Sequence, residues 1–148
     1  MAIFRALFVP IHFVAFVACD RNTEMQGLMD AAEKVVSSNA DSALRILDSI
    51  PASKIRGKEA RARYALLKSI VLDKNYIDKT TFEVLQPAID YYPENGSCDE
   101  KLRTYYYQGR IFQNKGDEDA AIRCFLNGSD LRNGVTDTLL LAHTWHIP

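Results

Sequence analysis

The sequence predicts an all-α protein, a solenoid of about three antiparallel helical hairpins that follows an N-terminal signal segment. Three observations predict this fold: apolar residues recur at helical spacing without sustained alternation, a capping box opens one helix, and hairpin patterns repeat along the chain. The 148 residues are 47% hydrophobic, which suits a folded domain and excludes a disordered chain. The 18 Lys and Arg against 19 Asp and Glu disfavour nucleic acid as a partner.

Residues 1–18 form an apolar segment whose single charge is Arg5 and whose middle contains Pro10. A membrane-spanning helix needs about 20 apolar residues, and the run after Arg5 is shorter, so the pattern favours a signal peptide. A buried N-terminal helix is the alternative, although such a helix usually has a polar face, and this segment has none.

The end of this segment, Phe16-Val17-Ala18-Cys19, resembles the lipobox of bacterial lipoproteins. The resemblance implies that residues 1–18 are a lipoprotein signal peptide, that the thiol of Cys19 is lipidated, and that Cys19 is the mature N-terminus. It further implies an exported protein of the bacterial cell envelope, anchored to a membrane through lipid on its periplasmic or surface face. Two or three acyl chains give a stable anchor.

Three helices are predicted before residue 76. The first has an apolar stripe from Met25 to Val36. Asp41 is predicted to cap the second, which Pro51 stops. The third begins at about Lys58 and ends in the polar stretch 73–75.

A fourth helix is predicted to begin at Thr80 or Thr81 and to end at Pro93 and Gly96. Because Pro87 lies inside this span and lacks an amide hydrogen, we expect a kink or a restart there.

The next hairpin carries the clearest signals. Ser97 and Glu100 form a capping box, Gly116 closes the helix that it opens, and Asp117 caps the partner helix. One face of the first helix contains Leu102, Tyr105, Tyr106, Gly109 and Phe112, and the partner helix carries Ala121, Ile122, Phe125, Leu126 and Gly128. The small residues are expected where the two helices approach most closely.

This register, Tyr105-x2-Gln108-Gly109-x2-Phe112 followed by Ala121-x3-Phe125 and Gly128, resembles the tetratricopeptide repeat (TPR). Tyr64 aligns with Tyr105 at an offset of 41, and Ala43 aligns with Ala121 at an offset of 78, which implies two periods of 39. The TPR-like region then covers residues 19–135, with repeats at about 24–51, 58–95 and 97–133. The residues expected to pack these repeats are Tyr64, Tyr105, Gly109, Phe112, Ala121, Phe125 and Gly128.

Residues 136–148 read as the start of a further helix whose hairpin partner is missing, and we interpret this end as truncated.

In TPR proteins the first helix of each hairpin lines a concave groove. The resemblance places five residues on or near that surface as the partner-binding groove: Arg103, Tyr106, Tyr107, Arg110 and Gln113. Arginine and tyrosine commonly anchor interfaces, so we expect an unidentified protein or peptide ligand. The alternative is that both arginines are solvated helix charges and that Tyr106 packs in the interior.

The sequence predicts neither an enzyme nor a cofactor, because no phosphate-binding loop and no catalytic motif is present. No metal site is expected from His143 and His146, since two imidazoles do not complete one. Cys98 and Cys124 are predicted to lie too far apart for a disulfide.

The function expected is therefore that of a non-enzymatic, membrane-anchored TPR scaffold. One alternative is a truncated sensory ectodomain fragment of a TPR-type transcriptional regulator, because the sequence resembles lipobox-bearing TPR proteins whose longer members continue into a cytoplasmic regulatory part. A second alternative is a solute-binding lipoprotein, a class that usually needs a much longer chain.

Overall fold

The computed structural model describes the backbone of residues 12–145 and the side chains of residues 22–144. This part of the chain is all-helical, without a strand, as predicted. Its seven α-helices are α1 (His12–Val35), α2 (Ala40–Asp48), α3 (Lys58–Lys74), α4 (Gln86–Asn95), α5 (Cys98–Lys115), α6 (Glu118–Ser129) and α7 (Thr138–Trp145).

Consecutive helices pack in pairs, α1 with α2, α3 with α4 and α5 with α6, while α3 also touches α1 and α5. The start of α3 lies beside the end of α2, because the Tyr64 hydroxyl donates to the Leu47 carbonyl at 3.3 Å. The end of α3 lies beside the start of α2, because the Asn75 amide donates to the Ala40 carbonyl at 2.9 Å. Helices α2 and α3 are therefore antiparallel.

Two clusters of buried side chains form the interior of the described residues. The first joins α1, α2 and one face of α3, and contains Met25, Met29, Ala32, Ala43, Leu47, Ile50, Ile55, Ala60, Leu67 and Val71. The second joins α3, α4 and α5, and contains Ala62, Ala65, Leu66, Leu85, Ala88, Tyr92, Tyr107 and Ile111. Because α3 contributes to both, it is the central helix.

Helices α5 and α6 make their closest approach at glycine. A Cβ atom added to Gly109 would lie 2.6 Å from Cε1 of Phe125, and one added to Gly128 would lie 3.0 Å from Cδ1 of Leu102. The close approach predicted at these two glycines is confirmed. Ala121 and Phe125 are buried with them, whereas Tyr64, Tyr105 and Phe112 are only half-buried.

The helix ends follow the local signals in most places. Ser97 and Glu100 form the predicted capping box, Asp117 accepts from the amide of Ala120 at 3.1 Å, and Gly116 has φ 78° after α5. The predicted cap Asp41 is wrong, because the side chain of Asn39 accepts from the Ser42 amide and the helix begins at Ala40.

The fourth helix begins later than Thr80 or Thr81, at the restart predicted near Pro87, and ends at the predicted Gly96. It begins at Gln86, so Pro87 lies in its first turn, where the missing amide hydrogen costs nothing. A turn that includes the Gln86 amide bonded to the Phe82 carbonyl replaces the predicted start at Thr80 or Thr81. The helix then passes Pro93 and ends at Asn95, with Gly96 as its C-cap.

Two apolar residues predicted on the packed face of α6 are exposed. Ile122 is 44% exposed and Leu126 is 59% exposed. Both lie on the side of α6 away from α5.

Helices α3 and α5 correspond to each other at an offset of 40 in the sequence. They begin at Lys58 and Cys98, which differ by this offset. They also end in the same turn: the amide of Ile77 bonds to the Leu72 carbonyl, as that of Asp117 bonds to the Phe112 carbonyl. The last residues of the two helices, Lys74 and Lys115, differ by 41, the offset predicted from Tyr64 and Tyr105, so the offset of 40 rests on the helix starts and on this turn.

A carboxylate of α5 holds the backbone at the start of α7. Asp99 accepts from the backbone amide and the hydroxyl of Thr136 and from the amide of Asp137. The side chain of Asp137 in turn accepts from the Leu140 amide and caps α7.

The predicted lipidation boundary falls inside α1, whose backbone is continuous from His12 past Cys19. The side chain of Cys19 and residues 1–11 lie outside the described part, as do residues 146–148 with His146. Among the described residues, Cys98 and Cys124 are free thiols, and no helix there is long and apolar enough to cross a bilayer.

Candidate functional site

Both arginines of the predicted groove are engaged in ion pairs within the chain. Arg103 donates through Nη2 and Nε to the same oxygen of Asp137, at 3.1 and 3.3 Å, and its side chain is 34% exposed. Arg110 donates to Asp73 at 3.2 Å and to Gln113 at 3.2 Å. The first pair joins α5 to the start of α7, and the second joins α5 to the end of α3.

The two predicted tyrosines differ in depth. Tyr107 is buried in the second cluster, and burial raises its pKa. Tyr106 is half-buried, with its ring 5.1 Å from that of Tyr107 and 5.8 Å from that of Phe125, and burial raises its pKa as well. Tyr106 is therefore the more accessible of the two.

On α3, the structure identifies an arginine that the sequence argument passed over. Arg63 donates to three side chains of α1: Gln26 at 2.9 Å, Asp30 at 2.6 Å and Glu33 at 2.8 Å. Partial burial lowers the pKa of Arg63, but the hydrogen bonds to Glu33 and Asp30 outweigh that effect and hold it above its usual value. Arg63 thus joins α1 to α3.

At the offset of 40, Arg63 occupies the position on α3 that Arg103 occupies on α5. At the offset of 41, the positions on α3 that match Arg103, Tyr106 and Arg110 are Ala62, Ala65 and Ser69, which are buried. Helical spacing in the sequence could have identified Arg63, because Arg63 and Ile70 are seven residues apart and therefore share a face of α3.

A cleft of about 80 Å³ opens between α1, α3, α4 and α5 and brings these groups together. Its lining residues are Glu33, Arg63, Leu66, Leu67, Ile70, Tyr92, Glu100 and Arg103. Its floor is apolar, and its rim has two acidic and two basic side chains. Of the five predicted groove residues, only Arg103 lines this cleft.

Tyr107 and Arg110 line a second, smaller cavity of about 20 Å³ between the ends of α3 and α5. Asn114 lies there too and donates to the Lys79 carbonyl at 3.1 Å. Asn75, near the end of α3, makes a similar bond to the Ala40 carbonyl, so each asparagine holds the backbone of a segment earlier in the chain. This cavity is too small for more than about one water molecule.

Among the described residues, no group of three or more His, Cys, Asp and Glu side chains is placed to hold a metal ion. Comparison of the chain with protein-family models, with curated proteins and with solved structures finds no significant match.

Proposed function

We propose that this chain is a non-enzymatic helical-repeat scaffold of the TPR type that binds a protein or peptide along α1, α3 and α5. The observation that supports this best is the cleft to which those three helices all contribute. Helix α3 contacts both α1 and α5, and each of these three helices packs against the helix that follows it. Stacked helical hairpins are expected to have this arrangement.

The chemistry of the cleft suits an extended peptide. Leu66, Ile70 and Tyr92 provide an apolar floor, while Arg63 and Arg103 provide planar guanidinium groups at the rim. Because both arginines are already paired with carboxylates, an incoming acidic side chain would have to compete with Glu33 or Asp137. A ligand with an apolar residue between charged ones fits this surface better than a purely acidic one.

We further propose that the scaffold is exported and held at a bacterial membrane by lipid on Cys19. This part of the proposal rests on the resemblance of residues 16–19 to a lipobox. Cells fed an alkyne fatty acid should label the wild-type protein and the Cys98→Ser control, and should leave Cys19→Ser unlabelled. Equal labelling of Cys19→Ser would refute the anchor.

Peptide binding can be tested with a matched pair of substitutions. Ile70 lies in the cleft and Ile122 lies on α6 away from α5, so Ile70→Glu and Ile122→Glu introduce the same carboxylate on two different faces. Peptides selected from a displayed random library on the wild-type chain would be measured by fluorescence anisotropy. We expect Ile70→Glu to weaken binding at least tenfold and Ile122→Glu less than twofold.

A second variant, Arg103→Ala with Arg110→Ala, tests the residues predicted from the sequence. Weaker binding by this variant would assign the peptide to the α5 side of the groove. Failure to select any peptide, or equal losses for Ile70→Glu and Ile122→Glu, would refute the proposed site.

A further inference from the structure

We infer that the connection between α2 and α3, together with the first turn of α3, is a docking surface for an anionic lipid bilayer. Four cations lie within residues 54–61, and all four are exposed: Lys54, Arg56, Lys58 and Arg61. We call these four residues the basic patch. With Glu59, the segment carries a net charge of +3, whereas the whole chain carries −1.

The cations of the basic patch lie close together in the sequence and have no carboxylate partners among the described residues. In the part of the chain that the structure describes, five other basic residues form ion pairs, and none of the four does so. Arg63 and Lys68, which follow on α3, are each paired with carboxylates of α1 or α2. Positive charge in the patch is therefore left for an external anion.

An apolar cleft of about 290 Å³ lies directly beside the basic patch. Its walls include Ile55, Tyr64, Val84 and Pro87, and Arg61 belongs to both the cleft and the patch. Cations next to an accessible apolar surface fit the boundary of a bilayer, where phosphate groups lie above hydrocarbon. The backbone of a nucleic acid would use the cations and leave the apolar cleft empty.

The position of the patch in the fold supports the same partner. Arg63 bonds to Gln26, so the start of α3 is level with the middle of α1, and α1 continues past Gln26 toward His12 on that side. Asn75 and Ala40 mark the opposite end of the helix pair. Cys19 precedes Gln26 by seven residues, about 10 Å of helix, so the basic patch faces the same way as the proposed anchor.

Binding by this surface requires no acyl group on Cys19. It can therefore be measured on the full chain carrying Cys19→Ser, by sedimentation with vesicles of phosphatidylcholine alone and of phosphatidylcholine mixed two to one with phosphatidylglycerol. The apolar segment 1–18 is the same in every variant and contributes to both kinds of vesicle. The ratio of binding to anionic and to neutral vesicles isolates the contribution of charge. In about 0.15 M salt the screening length is about 8 Å, so only protein charges close to the bilayer surface contribute to this ratio.

The test variant replaces Lys54, Arg56, Lys58 and Arg61 with Gln. The matched control replaces four exposed cations elsewhere with Gln, namely Lys34, Lys74, Arg123 and Arg132. Each surface cation changes bilayer partitioning by about fivefold. We expect the preference for anionic vesicles to fall at least tenfold in the patch variant and to stay within twofold in the control, with unchanged circular dichroism in both.

Three results would overturn the inference. The wild-type chain could show no preference for anionic vesicles, or the two variants could lose it equally, which would reflect net charge alone. A DNA duplex could also bind more tightly than the vesicles with the same dependence on the patch, which would assign the surface to nucleic acid.

Discussion

The close approach of α5 to α6 makes Gly109→Ala a sharp test of the fold. The added Cβ would lie 2.6 Å from Cε1, 2.7 Å from Cζ and 3.0 Å from Cδ1 of Phe125. The ring of Phe125 is 2% exposed and lies against Tyr106, so it has little room to retreat. Gly27 in α1 provides the matched control, because a Cβ there meets nothing within 4 Å.

The magnitudes follow from two opposing effects. Alanine is favoured over glycine inside a helix by roughly 1 kcal/mol, and this gain applies at both positions. Inserting a methyl group into a packed interior costs roughly 1–3 kcal/mol, and this loss applies only at Gly109. We expect Gly27→Ala to stabilise the protein by about 0.5–1 kcal/mol and Gly109→Ala to destabilise it by about 0–2 kcal/mol, which is the packing loss less the helix gain.

Urea unfolding followed by far-ultraviolet circular dichroism measures both changes. A third variant, Gly109→Ala with Phe125→Leu, removes the ring and should destabilise the protein by less than the sum of its two single changes. If Gly109→Ala stabilises the protein as much as Gly27→Ala does, the two helices do not meet at glycine and the pairing of α5 with α6 is incorrect.

Three further predictions concern single side chains. Tyr76 has φ 57° and is 94% exposed, and Gly116 occupies the matching position after α5. Because glycine adopts a positive φ without strain, Tyr76→Gly should raise the free energy of unfolding by about 0.5–1 kcal/mol. A lower midpoint in thermal melts would contradict this. Slight burial raises the pKa of Asp99, but hydrogen bonds from Thr136 and the amide of Asp137 outweigh it, so the folded pKa is lowered. The ionised carboxylate therefore stabilises the fold above the unfolded pKa, and this stabilisation is lost as pH falls through the folded pKa. In urea unfolding at a series of pH values, Asp99→Asn should lose less stability in acid than the wild-type protein does. An equal loss of stability in acid would contradict the contact. Burial raises the pKa of Tyr92 and Tyr107. The neutral side chains therefore contribute their full stabilisation of the fold below the unfolded pKa of about 10, and this contribution is lost as pH rises through the folded pKa. Absorbance titration should show these two tyrosines ionising only as the protein unfolds in alkali. Ionisation of both at the same pH as the exposed tyrosines would refute their burial.

The parts of the fold that depend on neighbouring residues could be predicted from the sequence. The capping box at Ser97 and Glu100, the left-handed turn at Gly116 and the bounds of α3 all depend on contacts within a few residues. Asn39 and Asp41 are both good caps, and nothing in the local sequence chooses between them. Of the two predicted end signals, Gly96 ends the fourth helix and Pro93 does not, because a proline late in a helix loses only one hydrogen bond, the one that its amide would have donated to Ile89.

The candidate site was harder to predict because its contacts are distant in sequence. Arg103 and Asp137 are 34 residues apart, and Arg110 and Asp73 are 37 apart. Their pairing depends on how the helices stack, which helical spacing does not specify. The offset of 41 points to buried residues on α3, whereas the offset of 40 given by the helix starts points to Arg63.

The three bonds of Arg63 to α1 have a mechanical consequence. They lie side by side along α1 at Gln26, Asp30 and Glu33, and α1 runs in the same direction as α3. A pull along α1 from its amino end would load all three at once, as in shear, and would not open them one after another. Tension from a tether at that end would therefore pass into α3, and single-molecule stretching should show Arg63→Ala releasing α1 at lower force.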